Sequence, residues 1–276
     1  MKDILKELAQ GKALSEEQAF LLVEGMLPPA ETAEASGVRS IALSDAQIGA
    51  ALAGWGQRLP NADELVGAAR ALRSAMEVMN YQRPNEKFDP VDTCGTGGSG
   101  TNPYNTSTLA GLVAAAAGQP VAKHGNRAVT SKCGSADLLE ALGVKIDIPA
   151  TLTATCLEKT GFCFMLAPKY HSATRRVQLI RRELGFPTIF NFLGPLCNPA
   201  RVSRQVMGVS RKELLIPVAH ALKRLGSSKA FIVCGEDGLD EFTTAGNTFV
   251  AELANGKITE WVFEPQSVGI EHSTSD

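Results

Sequence analysis

The stretch Asp92-Thr93-Cys94-Gly95-Thr96-Gly97-Gly98-Ser99-Gly100 places four glycines in six positions, between a short apolar run at 91–94 and an Ala-rich helical segment at 108–117. Glycines there let backbone N–H groups approach an anion with no Cβ in the way, and the following helix adds its positive end. The natural reading is strand, phosphate cradle and helix, with Asn105, Ser107 and Thr108 as further polar groups; the bland alternative is a flexible connector. Gly95, Gly97 and Gly100 match G-x-G-x-x-G, but a dinucleotide site needs an acid about 20 residues on to hold the ribose. No Asp or Glu occurs between Asp92 and Asp137. A P-loop needs Gly-Lys-Ser/Thr, and Gly100 is followed by Thr101 without a lysine.

Working outward from this loop, short apolar runs at 91–94, 121–123, 144–148, 162–165, 205–209 and 230–234 alternate with helical segments at 108–117, 136–142, 152–159, 173–184 and 212–225. Repeated β–α units predict a mostly parallel sheet. Near the end, residues 251–254 and 257–261 flank Asn255-Gly256, which suits a type I′ hairpin turn. The first eighty residues read as helices instead. Ser15-Glu16-Glu17-Gln18 and Ser44-Asp45-Ala46-Gln47 both fit the capping box, and Asn61 before Asp63 and Glu64 is a third N-cap. Leu27-Pro28-Pro29 ends a helix, and 31–40 reads as a polar loop. The expectation is an α/β protein: a small N-terminal helical domain over 1–80, its boundary approximate, and a large α/β domain over 81–276 with a mostly parallel central sheet. The stripe Leu214, Leu215, Val218, Ala219 and Leu222 is core packing of one helix.

The 276 residues are 44% hydrophobic and 20% charged, the composition of a globular protein with ample core. Lys and Arg total 27 against 29 Asp and Glu, which argues against a general nucleic-acid or membrane footprint while leaving room for a local basic pocket. No apolar run approaches the ~20 residues of a bilayer span, and the first residues, MKDILKELAQGK, lack the apolar stretch of a secretory signal. A cytoplasmic location is the default. The six cysteines are scattered without C-x-x-C or a nearby His pair, which argues against a zinc site or disulfide framework and reads as buried small hydrophobes.

Two further clusters carry chemistry. Lys123-His124-Gly125-Asn126-Arg127, with Ser131-Lys132 and Gly134-Ser135 just beyond, gathers cations beside the glycine loop and suits a polyanion, though a solvated loop has a similar composition. Ser135-Ala136-Asp137 looks like another helix start. Asp240-Glu241 follows the strand at 230–234; neighbouring carboxylates at a strand's end need a cation or solvent between them, and an oxygen-only set favours Mg²⁺. An isolated acidic turn would look the same. His124 also fits a structural hydrogen-bonding role, whereas His220 and His272 lie in a helix and a polar tail, outside any cluster.

Taken together, these segments resemble the anthranilate phosphoribosyltransferases of tryptophan biosynthesis. The resemblance rests on Gly95-Thr96-Gly97-Gly98, Asn105-Thr106-Ser107-Thr108, the Lys123–Arg127 run, residues 135–143, Phe190-Asn191-Phe192-Leu193-Gly194-Pro195-Leu196 with Asn198-Pro199, and residues 235–241, in the expected order over about 60–265. It implies a small helical domain joined to a large α/β domain, a homodimer, and transfer of the phosphoribosyl group of 5-phosphoribosyl 1-diphosphate (PRPP) to anthranilate. By the same resemblance PRPP would be held by Gly95, Gly98, Ser99, Asn105, Ser107, Thr108, Lys123, Gly125, Asn126, Arg127, Ser131 and Ser135. Anthranilate would meet Gly95, Asn126 and Arg181, with His124, Tyr170 and His171 as neighbours, and Mg²⁺ would sit on Ser107, Asp240 and Glu241. Displacing pyrophosphate from ribose C1 builds charge that cations and positioning can stabilise, so no single nucleophile or base is required.

The pattern breaks in three places. Ser99 stands where the family has Asp, Pro103 replaces a family Thr, and the ends differ: the loop between the helices starting near Ser15 and Ser44 is longer than the resemblance implies, and the chain stops soon after the Asn255-Gly256 hairpin, where relatives continue through further helices. Pro103 deletes a hydroxyl and a backbone N–H. These departures keep two alternatives open: a relative acting on another aromatic acceptor, and a binding protein, even for nucleic acid, that has lost PRPP chemistry. The slightly acidic balance opposes the nucleic-acid version.

Overall fold

The computed structural model describes residues 1–28, 42–97, 104–128 and 133–273. The expected loop at 31–40, and Gly98, Ser99, Pro103, Ser131 and Lys132, lie outside the described residues.

Local rules set the helical part. Ser15 Oγ accepts from Gln18 N at 3.2 Å while Gln18 Oε1 accepts from Ser15 N at 2.9 Å, and Ser44 with Gln47 repeats the exchange. These boxes start helices Glu16–Met26 and Asp45–Trp55 by satisfying N–H groups that have no partner inside a helix. Asn61 and Glu64 form a third box at helix Ala62–Ala75. Glu64 does more, since its buried carboxylate also takes Trp55 Nε1 at 3.1 Å, Leu14 N at 3.0 Å and the Arg58 guanidinium. An additional helix, Lys2–Ala9, packs on Asp45–Trp55. One hydrophobic cluster runs from Leu8, Leu22, Trp55 and Leu65 to Leu193, Leu196, Met207 and Leu222, so these helices share a core with the sheet.

Seven strands form a single sheet: β1 (Val91–Asp92), β2 (Val121–Gly125), β3 (Phe162–Leu166), β4 (Arg204–Gly208), β5 (Lys229–Gly235), β6 (Thr248–Ala254) and β7 (Lys257–Phe263). Their spatial order is β3-β2-β1-β4-β5-β6-β7. The first five are parallel, and β6 and β7 add antiparallel. Asn255 and Gly256 turn the β6–β7 hairpin with φ of 51° and 72°, the positive values a type I′ turn requires.

Two expectations need correction. Residues 144–148 form no strand. Gly143 enters the left-handed region at φ 82°, Pro149 caps helix Ala150–Thr160, and of this apolar run Ile146 is buried while Val144 stays exposed. The cysteines are all free, but Cys163, Cys197 and Cys234 alone are buried, and Cys133 and Cys156 are exposed. The stripe from Leu214 to Leu222 is core, as expected. No helix among the described residues is long and apolar enough to cross a membrane.

Candidate active site

In a parallel sheet, ligands bind outside the carboxyl ends of the strands, where the strand order reverses. Here the chain leaves β1 toward β2 and β3, then returns to β4 on its other side, so the crevice opens between the ends of β1 and β4. The glycine loop leaves β1 at that point and is pinned to the neighbouring strands. Thr96 N donates to Gly208 O at the end of β4 at 2.9 Å, and Gly97 N donates to Asp240 Oδ2 beyond β5 at 2.8 Å. The approach is so close that a Cβ on Gly208 would overlap the carbonyl of Asp240.

Beneath the loop lies a set of buried charges. Asp92 is fully buried and accepts from Thr93 N at 2.8 Å, His124 N at 3.2 Å and Asn198 Nδ2 at 2.7 Å. Burial pushes its carboxyl up, against the opposing pull of Lys123 and these donors. Lys123, in the middle of β2 and 1% exposed, donates to Thr93 O at 3.2 Å, Thr93 Oγ1 at 3.3 Å and Ser107 Oγ at 3.2 Å. Its ammonium thus sits against the start of helix Thr106–Ala116, where Thr108 Oγ1 is buried with no hydrogen-bond partner among the described residues. Glu241 completes this side: burial first and Asp240 second raise its carboxyl to about 7, while Lys123 and the backbone of Ser107 pull it down. Two crowded carboxylates with the Ser107 hydroxyl form an oxygen donor set that fits a hard divalent cation, which would relieve the repulsion felt by Glu241.

Side chains alternate along a strand, so His124 faces the opposite way from Lys123. Its Nδ1 lies 3.1 Å from Gly194 O; a carbonyl only accepts, so Nδ1 carries the proton and Nε2 keeps its lone pair. That Nε2 and the Nε2 of His171 are both buried without a partner among the described residues, and the two rings lie 5.1 Å apart. Burial drives His124 down to about 3 and His171 to about 4, so both are neutral at pH 7. On helix Arg175–Leu184, Arg181 is largely withdrawn from water, and burial lowers its pKa. Its Nη2 donates to Asn191 Oδ1 at 3.0 Å and its guanidinium lies 5.6 Å from the centre of the Phe190 ring, with no acid pairing it among the described residues.

Other expected site residues sit further out. Arg127 is exposed and pairs with Glu140 and Asp137 on helix Ser135–Ala141 rather than reaching the glycine loop. That helix starts at Ser135 as expected, with Gly134 as its N-cap, and Asp137 accepts from the Gly134 N–H at 2.8 Å. Asn126 O accepts from Ser135 Oγ at 3.2 Å, and Gly125 leaves no room for a Cβ beside Ser135 and Phe164. Asn105 Nδ2 donates to Cys133 Sγ at 3.3 Å. Tyr170 is buried in a hydrophobic cluster with Leu157 and Met165. Gly95 lies close under Asp240, since an added Cβ would stand 3.2 Å from its Oδ2. Sequence reasoning assigned no role to Asp92, Gly208 or Asn191. A lone acid ending a strand and a glycine ending another were the available signals, and Asn198 stood in a quoted motif without a role.

The chain is similar to known proteins over most of its length. Residues 2–76 match the glycosyl transferase family helical bundle domain, and residues 87–276 match the glycosyl transferase family a/b domain. The chain is 45% identical to the anthranilate phosphoribosyltransferase of Methanosarcina mazei over 270 residues, covering 98% of this chain and 68% of that protein. With the enzyme of Pseudomonas putida it shares 49% identity over 227 residues, covering 82% of this chain and 64% of that one. The crystal structure of the Thermus thermophilus enzyme superposes with a TM-score of 0.82 at 39% identity, covering 98% of this chain and 76% of that chain. The Saccharomyces cerevisiae enzyme in complex with PRPP and Mg superposes at 0.81 with 30% identity, covering 99% of this chain and 74% of that chain.

Proposed function

This chain belongs to the anthranilate phosphoribosyltransferase family, and we propose that it transfers the 5-phosphoribosyl group of PRPP to the amine of anthranilate, with Mg²⁺ as its cofactor. The observation that carries this reading is the pairing of two unlike half-sites at one sheet edge. One offers glycine N–H groups, a buried ammonium and two carboxylates; the other offers an acid-free guanidinium and a neutral imidazole, both bonded to helix Phe190–Leu196, with a second neutral imidazole against the first.

In this reading PRPP lies along Gly95, Asn105, Ser107, Thr108, Lys123 and Gly125 to Arg127, with Ser135 and the expected contacts Gly98, Ser99 and Ser131 around it. The unpartnered Thr108 hydroxyl supports that placement. Ser107, Asp240 and Glu241 hold Mg²⁺, which when bound neutralises charge on the diphosphate. Arg181 takes the carboxylate of anthranilate as a planar fork, with Asn126, His124 and His171 around the ring. The reaction breaks the C1–O bond to pyrophosphate, which leaves with the electron pair. The amine lone pair forms the new C1–N bond, and the amine proton passes to water or to the departing pyrophosphate. Lys123 and the loop N–H groups stabilise the leaving charge, while Arg181 and the neutral histidines align the nucleophile without protonating it.

A homodimer and a cytoplasmic location complete the proposal. Light scattering tests the first, and reporter fusion the second. The activity is tested by following anthranilate fluorescence with PRPP and Mg²⁺. The expected result is loss of signal that requires all three components; no turnover and no PRPP-dependent thermal shift would overturn the reading.

A further inference from the structure

Helix Phe190–Leu196 sets both polar anchors of the second half-site. Asn191 Oδ1 accepts from Arg181 Nη2 at 3.0 Å, and three residues on, Gly194 O lies 3.1 Å from His124 Nδ1. One short element therefore sets both, one through a side-chain amide and the other through a backbone carbonyl. Asn191 is itself held: the same Oδ1 accepts from Thr188 N at 3.0 Å. Both partners are donors, so the amide oxygen must face them. One guanidinium N–H is thereby fixed in direction by a neutral acceptor. The cation stays uncompensated, and its remaining N–H groups are free of any acid among the described residues.

We propose that Asn191 is a positioning residue that aims Arg181 at the carboxylate of the acceptor, and that its neutrality keeps the charge of Arg181 available for that carboxylate. The inference rests on the reading of Arg181 as the carboxylate anchor. A carboxylate at position 191 would have the same shape and the same oxygen for Thr188 N–H, but would form a charge-assisted pair with the guanidinium and compete with substrate.

This gives a test in which the order of two variants decides. A role limited to packing or to holding the Thr188 turn makes Asn191→Asp the milder change, because it is isosteric, and Asn191→Ala the harsher. The positioning role reverses the order for one parameter alone. Asn191→Ala raises the KM for anthranilate about tenfold, the loss of one hydrogen bond to a charged group, and Asn191→Asp raises it about a hundredfold. The KM for PRPP and the melting temperature stay within error of the parent in Asn191→Asp. Where turnover is too slow, calorimetric Kd for anthranilate on the PRPP- and Mg²⁺-loaded protein replaces KM. Near-parental anthranilate affinity in Asn191→Asp, or equal losses for both substrates, overturns the inference. Arg181→Gln separates the two levels. If it leaves anthranilate KM unchanged, the anchor reading fails; if it raises KM while Asn191→Asp does not, the positioning role alone fails.

Discussion

Lys123 and His124 are consecutive residues of β2, both buried, yet they meet different fates. Lys123 spends its ammonium on Thr93 and Ser107 above a carboxylate, Asp92, that accepts three hydrogen bonds of its own. His124 satisfies one ring nitrogen and leaves the other without a partner, against a second histidine in the same condition. Leaving a buried polar group unbonded costs about 1–3 kcal/mol, so native interiors rarely tolerate it without a use. The network of Asp92 with Asn198, Thr93 N and His124 N is framework that holds strand ends in register. The cluster of His124, His171 and Arg181 keeps binding capacity in reserve for a ligand.

The sharpest way to break that contrast is to remove a framework charge. Asp92→Ala strips the counter-charge from buried Lys123 and the acceptor from Asn198, His124 N and Thr93 N, and is expected to cost about 3–5 kcal/mol in urea unfolding. A loss below about 1 kcal/mol would show the network is not structural. Next comes acid sensitivity. His124 and His171 are depressed to about 3 and about 4, so the unfolded chain binds more protons than the folded one below the ordinary histidine range. Their contribution is therefore present above about pH 6.5 and lost as pH falls, each worth up to about 1.4 kcal/mol per pH unit. Thermal melts should fall between pH 7 and 5.5, and His171→Phe should remove about half of that slope; parallel profiles would contradict the burial of this ring.

Arg181→Gln probes the reserve side by function. Anthranilate KM is expected to rise about tenfold or more, with melting temperature unchanged or higher because a desolvated charge without an acid is gone. A lowered melting temperature with unchanged KM would move Arg181 into the framework. A further effect is at Glu241, whose carboxyl is raised to about 7 by burial and Asp240. A raised acid favours the folded state below its unfolded value, and that contribution is lost as pH rises from about 4.5 through 7. Without metal, Glu241→Gln should flatten this decline in melting temperature, and Mg²⁺ should stabilise the parent more than the variant. Equal Mg²⁺ stabilisation of both would remove Glu241 from the metal set.

What was legible in the sequence was local. Ser15 with Gln18, Ser44 with Gln47 and Asn61 with Glu64 each close a box within one helical turn, and Asn255-Gly256 turns on its own φ angles. The glycine loop and the Lys123 to Arg127 run stand out because their spacing is itself the signal. The framework was hidden because its bonds are long-range. Gly97 reaches Asp240 across 143 residues, Thr96 reaches Gly208 across 112, and Asn198 reaches Asp92 across 106. Residues 144–148 misled for the converse reason: the run is apolar, but Gly143 and Pro149 bracket it with backbone that cannot enter a ladder.

The contrast between framework and reserve is tested most directly by side-chain ¹⁵N spectra of protein saturated with PRPP and Mg²⁺, recorded as anthranilate is added. The prediction is that the imidazole signals of His124 and His171 and the guanidinium of Arg181 shift as they gain a partner, while the side-chain amide of Asn198 and the ammonium of Lys123 stay in place. Silent histidines with a moving Asn198 amide would contradict the assignment of framework and reserve.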